Sequence, residues 1–288
     1  MSIQTRTTNL KYVFNTVFII IIFLPALLSC TSRWEKVHQL GIKALDSKDY
    51  MKAVSLFERS FEELKLDQME CHERCFQVAG EIAQIYLFNL KNPHQAIQWL
   101  RVQRLFVTNE TDLINLQKQI IRLSVDYLND HKIAVTEAYK LLNFNLNLQD
   151  FCEVIFSLTS SLFELGDRQA ALREVSQCLG NIPISETLQF NLAKLEVDIL
   201  MSEKKYDQVI DKLKILIQRF DQRDHDGGLR LQLALAYEEQ GLFAKAYELL
   251  DEVARRDPKE QRYIHLRKER LRYKEKNQAG AKLKRKVH

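Results

Sequence analysis

A pattern of small, large and turn residues recurs along this chain about every 34 residues, and it leaves few folds open. One copy reads Leu40-Gly41, Ala44, Tyr50, Ala53, Phe57 and Ser60. Another reads Leu158-Thr159, Leu162, Gly166-Asp167, Ala171, Val175, Cys178 and Pro183. The last reads Leu233-Ala234, Tyr237, Gly241, Phe243, Ala246, Leu250, Val253 and Pro258. Small residues at Gly41 with Ala53, and at Ala234 with Ala246, let two antiparallel helices approach closely. Phe57, Tyr237 and Leu250 fill the space between one helical pair and the next. Asp46–Asp49 and Glu239–Gly241 supply short turns, and Pro258 ends a helix because proline cannot continue the hydrogen-bond ladder. Gly and Pro are scarce, 8 and 4 in 288 residues. With no sustained period-two alternation, the fold expected is all-α.

These residues resemble the tetratricopeptide repeat (TPR). The resemblance implies a superhelical solenoid of about six helical hairpins over 34–260, with copies starting near 34, 76, 117, 152, 190 and 227. The copy at Ile82-Ala83, Tyr86, Ala96 and Leu100 carries one extra residue, assigned to the turn at Asn89–Pro93. The copy with Val197, Leu200, Tyr206, Val209 and Leu213 has Val in place of small residues, and 117–150 is the poorest match. A stacked array needs its end covered. Ile264, Leu266, Leu271 and Tyr273 suit a capping helix over 261–276, followed by a basic flexible tail at 277–288.

The start of the chain has a different character. Arg6 and Lys11 precede an apolar run, Val17–Leu28, and then Leu27-Leu28-Ser29-Cys30. That charge order belongs to secretory signals, and the run is shorter than the roughly 20 residues of a membrane span. Leu27, Leu28, Ser29 and Cys30 resemble the lipobox of bacterial lipoproteins. The resemblance implies a signal peptide at 1–29, lipid attachment at the Cys30 thiol, and a short tether at 30–33. Thr31 stands where Asp would imply inner-membrane retention, so in a Gram-negative cell the implied location is the outer membrane, facing the periplasm. The alternative is an uncleaved anchor with an incidental cysteine.

Charge is unevenly placed. The chain carries 42 Lys+Arg against 38 Asp+Glu; residues 262–288 hold 11 basic and two acidic residues, and 30–261 hold 29 basic and 36 acidic. The basic end admits a solvated tail, attraction to anionic lipid or envelope polymer, or nucleic acid. The last fits worst, since Tyr273 offers little for stacking. No HExxH, glycine-rich phosphate loop or GxSxG elbow occurs, so no enzyme activity, cofactor or small-molecule substrate is expected. Cys71-His72-Glu73-Arg74-Cys75 places two thiols four apart on a helix, but no second ligand pair exists and no metal is expected. His38 and His72 read as surface residues, and Asn109-Glu110-Thr111 as an incidental glycosylation sequon. Cys152 opens the first helix of the fourth hairpin and Cys178 closes its second. Antiparallel packing brings them near each other, either as a disulfide or as two buried small residues.

In TPR proteins the first helix of each hairpin lines a concave face. By that resemblance the partner-binding residues here are Phe88, Arg122, Phe156, Phe163, Lys194, Met201 and Leu235, with His38, Leu87, Ser160, Asp198 and Glu238 beside them. Exposed apolar side chains mark partner sites; the alternative is that neighbouring helices or the C-terminal segment cover them. Some TPR proteins bind chaperone tails through Lys and Asn residues, but Phe156, Ser160, Lys194 and Asp198 stand at the corresponding places, so that activity is not implied. The function expected is a lipid-anchored adaptor for protein–protein interactions in the bacterial envelope, similar to TPR lipoproteins of outer-membrane assembly. The alternative is a lipoprotein that binds peptidoglycan or acidic saccharide through its basic tail.

Overall fold

The computed structural model describes residues 32–66, 71–180, 182–224, 227–256 and 261–285, with side chains to 278. The signal segment, Leu27, Leu28, Ser29 and Cys30, and also Pro258, lie outside them. The described residues form thirteen α-helices and no strand: α1 (Arg33–Asp46), α2 (Tyr50–Leu66), α3 (Cys71–Gln84), α4 (Pro93–Arg104), α5 (Glu110–Asp126), α6 (His131–Leu141), α7 (Leu148–Glu164), α8 (Arg168–Ser176), α9 (Glu186–Ser202), α10 (Tyr206–Arg219), α11 (Gly228–Glu239), α12 (Phe243–Arg256) and α13 (Gln261–Arg285). Consecutive helices pair into six hairpins, and α13 follows the last. Two compact units divide between Leu116 and Gln117, within α5.

One turn device makes all six hairpins. A single residue takes positive φ at Lys48, Lys91, Asn129, Gly166, Lys204 and Gly241. The residue after it donates its N–H to a carbonyl five or six positions back: Asp49 to Ala44, Asn92 to Tyr86, Asp130 to Ser124, Asp167 to Leu162, Lys205 to Leu200 and Leu242 to Tyr237, at 2.8–3.0 Å. This satisfies the orphan carbonyls of the first helix. In four turns the same residue caps the second helix: Asp49, Asn92, Asp130 and Asp167 accept from the N–H three positions on, at 3.0–3.3 Å. Such caps are worth about 1 kcal/mol each.

Asn109, which reads in the sequence as an incidental sequon, caps a helix in the same way. Its Oδ1 accepts from Asp112 N–H at 2.8 Å. The cap starts α5 at Glu110, seven residues before the repeat start expected near 117.

In the first unit Trp34, Phe57, Phe61, Val78 and Ile82 form the core. Ala53 is fully buried as expected, but Gly41 makes room for a ring: a Cβ there would lie 2.9 Å from Phe57 Cε1. Phe57 therefore fills its own hairpin, whereas the sequence pattern places it between hairpins. The extra residue of the second hairpin is also relocated. It is absorbed as a π-turn, Ile85–Asn89, in which Leu90 N–H reaches Ile85 O at 3.0 Å. That wider turn re-aims the side chains, burying Leu87 and leaving Phe88 57% exposed.

The core of the second unit's last helices includes Val197, Leu213, Leu233, Tyr237 and Leu250, joined by Ile264 and Leu271 of α13. Thus α13 covers the end of the stack. It also runs to Arg285, beyond the 276 at which the sequence pattern has the helix give way to a flexible tail. Gly280 opposes helix most there, at about 1 kcal/mol, and Ala279, Ala281, Lys282, Leu283, Lys284 and Arg285 all favour it. Cys152 and Cys178 form a disulfide with Cα atoms 5.6 Å apart, tying α7 to the residue two past the end of α8. Cys71 and Cys75 are also paired, one turn apart on α3 with Cα atoms 5.1 Å apart. Both thiols face the same side of the helix, so they reach each other without an outside ligand.

Candidate functional site

Each unit carries a groove between the first helices of neighbouring hairpins. In the first unit it lies between α1 and α3, about 720 Å³ in volume, and is lined by Trp34, His38, Ile42, Lys43, Arg74, Gln77 and Val78 among others. The Arg74 guanidinium sits 5.0 Å from the Trp34 ring, an attraction between a cation and the electron-rich ring face. His38 is not a free surface residue. Its ring lies against Phe57, and Nε2 is 2.7 Å from Glu81 Oε2, while Gln77 Nε2 donates to Glu81 Oε1 at 3.0 Å. Phe88 is exposed on the π-turn and does not line this groove.

The groove of the second unit lies between α5 and α7 and reaches Leu188 of α9. Its volume is about 420 Å³, inside the roughly 300–1,000 Å³ range of ligand clefts. Arg122 and Phe156, both picked out by the sequence pattern, line it with Ile121, Val125, Val154 and Ser160. One wall is braced by Lys118 Nζ, which donates to Asp150 Oδ1 at 2.6 Å and lies 2.5 Å from Glu153 Oε2. Burial disfavours charge on Lys118, but these carboxylates outweigh it and hold the ammonium above its usual range. Burial likewise pushes Glu153 up, yet the bonds from Lys118 and Gln149 bring its carboxyl below the ordinary value. Lys118 is thus committed to the wall. Arg122 is exposed and makes no ion pair among the described residues, leaving its guanidinium available beside the Phe156 ring.

The remaining residues expected to bind a partner are spread along the first helices. Phe163 is half-buried two turns beyond Phe156 on α7 and does not line the groove. Lys194 is bonded to Asp198 at 2.9 Å, and Asp198 also accepts from Gln232 of α11 at 3.0 Å, so this trio links α9 to α11. Met201 packs on the core of its unit, and Leu235 is half-buried. Glu238 is buried under α13, 2.8 Å from Lys274 and 3.5 Å from Arg267, so the C-terminal helix covers that part of the face.

This succession of hairpins matches solved structures. The fold is that of the tetratricopeptide repeat. A TPR protein from Parabacteroides merdae aligns over 78% of this chain and 80% of its own, with TM-score 0.51 at 14% identity. YrrB, described as a TPR protein with an unusual peptide-binding site, aligns over 74% and 97%, with TM-score 0.52 at 14% identity. The C-terminal part of a TPR protein from Cytophaga hutchinsonii aligns over 76% and 78%, with TM-score 0.53 at 11% identity. At such identities the likeness is one of fold. No protein-family model and no curated protein matches the sequence.

Sequence reasoning missed one buried constellation in the TPR array. Arg230, 8% exposed, holds Asp224, Asp221 (2.6 Å) and Glu252 (2.6 Å), and Asp224 is itself buried. Its bonds to the carboxylates outweigh burial and raise its pKa. The signal available in sequence was weak: an Arg among the apolar residues of α11. Among the described residues, no group of three or more His, Cys, Asp or Glu side chains could hold a metal ion. No described helix is long and apolar enough to cross a membrane.

Proposed function

We propose that this chain is a lipid-anchored adaptor of the bacterial envelope that holds a segment of a protein partner against the first helices of its TPR hairpins. The observation that carries the reading is the groove between α5 and α7, where Arg122, which makes no ion pair among the described residues, stands beside Phe156 over an apolar floor. A cation, an aromatic ring and the Ser160 hydroxyl can take a carboxylate, an apolar side chain and a backbone amide of an extended partner. The peptide-binding site named for YrrB, which shares the fold, supports the same use of a TPR surface.

The anchor in this reading is Cys30, after cleavage of 1–29, and Thr31 directs the protein to the outer membrane, facing the periplasm. Two disulfides among the described residues suit a chain that matures in an oxidising compartment. The biological role is the assembly or stabilisation of an envelope complex.

A photo-crosslinking side chain placed at Phe156 should give one discrete adduct in native membranes, lost in Arg122→Glu. The same side chain at Tyr139, on a second helix, should not give it. Identical adducts from both positions, or an adduct indifferent to Arg122, would refute the groove. Palmitate incorporation that survives Cys30→Ala would refute the anchor.

A further inference from the structure

We propose that the outer face of α13 docks on an anionic phospholipid bilayer. The helix divides its cations between two tasks. Its inner side inserts Ile264 and Leu271 into the core and neutralises the last hairpin: Arg267 and Lys274 pair with Glu238, and Lys268 with Asp251. Its outer side carries Arg262, Leu266, Arg270, Tyr273 and Lys276, spaced by three or four residues and so in one stripe. Leu266 is 57% and Tyr273 69% exposed. Arg262, Arg270 and Lys276 make no ion pair among the described residues. The acid on this stripe, Glu269, lies 3.6 Å from His265 Nε2.

Cations alternating with exposed apolar and aromatic side chains suit the headgroup region of a membrane, where charge meets phosphate and Leu or Tyr enters the acyl boundary. A soluble polyanion has use for the charges and none for Leu266. The sequence continues the helix with Lys282, Lys284 and Arg285, while 30–261 is net acidic, so attraction is concentrated at this end. The inference depends on neither the groove nor the lipid on Cys30.

The test is co-sedimentation of the full chain with vesicles of phosphatidylcholine alone, or with phosphatidylglycerol added. Any affinity due to the N-terminal segment is common to wild type and variants, so the variants isolate α13. Each cation contributes about fivefold near an anionic surface. Arg262→Glu/Arg270→Glu/Lys276→Glu should therefore lower partition onto the anionic vesicles by at least about a hundredfold, and leave partition onto neutral vesicles unchanged. Leu266→Ser/Tyr273→Ser should lower it about tenfold. Both variants alter exposed positions, and an unchanged circular dichroism spectrum verifies their fold. Wild-type partition in the charge variant overturns the proposal, as does indifference to the Leu266/Tyr273 pair. Retention on heparin without retention on anionic vesicles would instead make a soluble polyanion the occupant and overturn it too.

Discussion

Arg230→Met should destabilise the second unit by about 3–5 kcal/mol. Three of the guanidinium nitrogens are engaged, by Asp221, Asp224 and Glu252, and the side chain is 8% exposed. Asp221 and Glu252 would fall back on solvent and on Arg256, at 3.1 and 3.3 Å. Among the described residues Asp224 has no second cation to fall back on. It is 1% exposed, and its carboxylate also accepts from the Leu229 N–H, at 2.6 Å. The substitution would therefore strand a buried carboxylate, and that uncompensated charge, more than the lost attraction, sets the size of the effect. Against a typical domain stability of about 5–15 kcal/mol the loss is large. Adding Asp224→Asn removes the stranded charge while leaving an acceptor for Leu229, so the double variant should recover most of the loss. Urea unfolding followed by circular dichroism at the helical band measures both. Emission from the two tryptophans, Trp34 and Trp99, reports the first unit instead. A loss below about 1 kcal/mol for Arg230→Met, or a double variant no better than the single, would refute the reasoning.

Gly166 has φ of +83°, and nothing lies within 4 Å of the place where a methyl would stand. Gly166→Ala should therefore cost about 1–2 kcal/mol from backbone conformation alone; an unchanged urea midpoint would contradict this. Breaking the Cys152–Cys178 link, which spans 26 residues, by Cys152→Ala/Cys178→Ala should lower stability by about 3 kcal/mol. Non-reducing mass spectrometry of the wild type should find neither thiol free. The Lys118 cluster makes a pH prediction. Glu153 is depressed, so its contribution is full above the ordinary carboxylate value and is lost as pH falls through the lowered one. Lys118 is raised, so its contribution is full below the ordinary lysine value and is lost as pH rises through the raised one. Lys118→Met should thus cost about 1 kcal/mol near neutrality and progressively less in acid; a cost independent of pH would rule the pairing out.

How much the sequence makes legible differs from element to element. The hairpins are legible, because Ala53, Ala171, Ala234 and Ala246 recur where two helices must touch, and that requirement is local and periodic. The turns are only partly so. Gly166-Asp167 and Asp46–Asp49 stand out, whereas Lys91-Asn92 and Lys204-Lys205 perform the same task with a lysine that does not announce positive φ. Following the Asp or Asn after each turn would set the register of the weak second and third copies, and Asn109 marks the true start of α5.

The candidate site is legible as a helix face and no further. Arg122 and Phe156 stand out because the TPR resemblance implies a binding surface on first helices, yet their meeting in one groove depends on how α5 and α7 are packed. Leu87 leaves the binding face for the core, and Phe88 is exposed away from the groove, because a π-turn, which keeps Ile85 buried while the chain still reaches Asn92, changes side-chain phase by an amount no regular periodicity anticipates. Composition and spacing alone determined that this chain is a run of paired helices with a basic end. Tertiary packing decided which cations remain free among the described residues: Lys118, Arg230 and Lys274 are consumed by carboxylates distant in sequence or brought round by a turn, while Arg122, Arg262 and Arg270 make no ion pair there. Pairing of charge depends on distance in space, and a repeat pattern specifies which faces meet without specifying which long side chains find one another there.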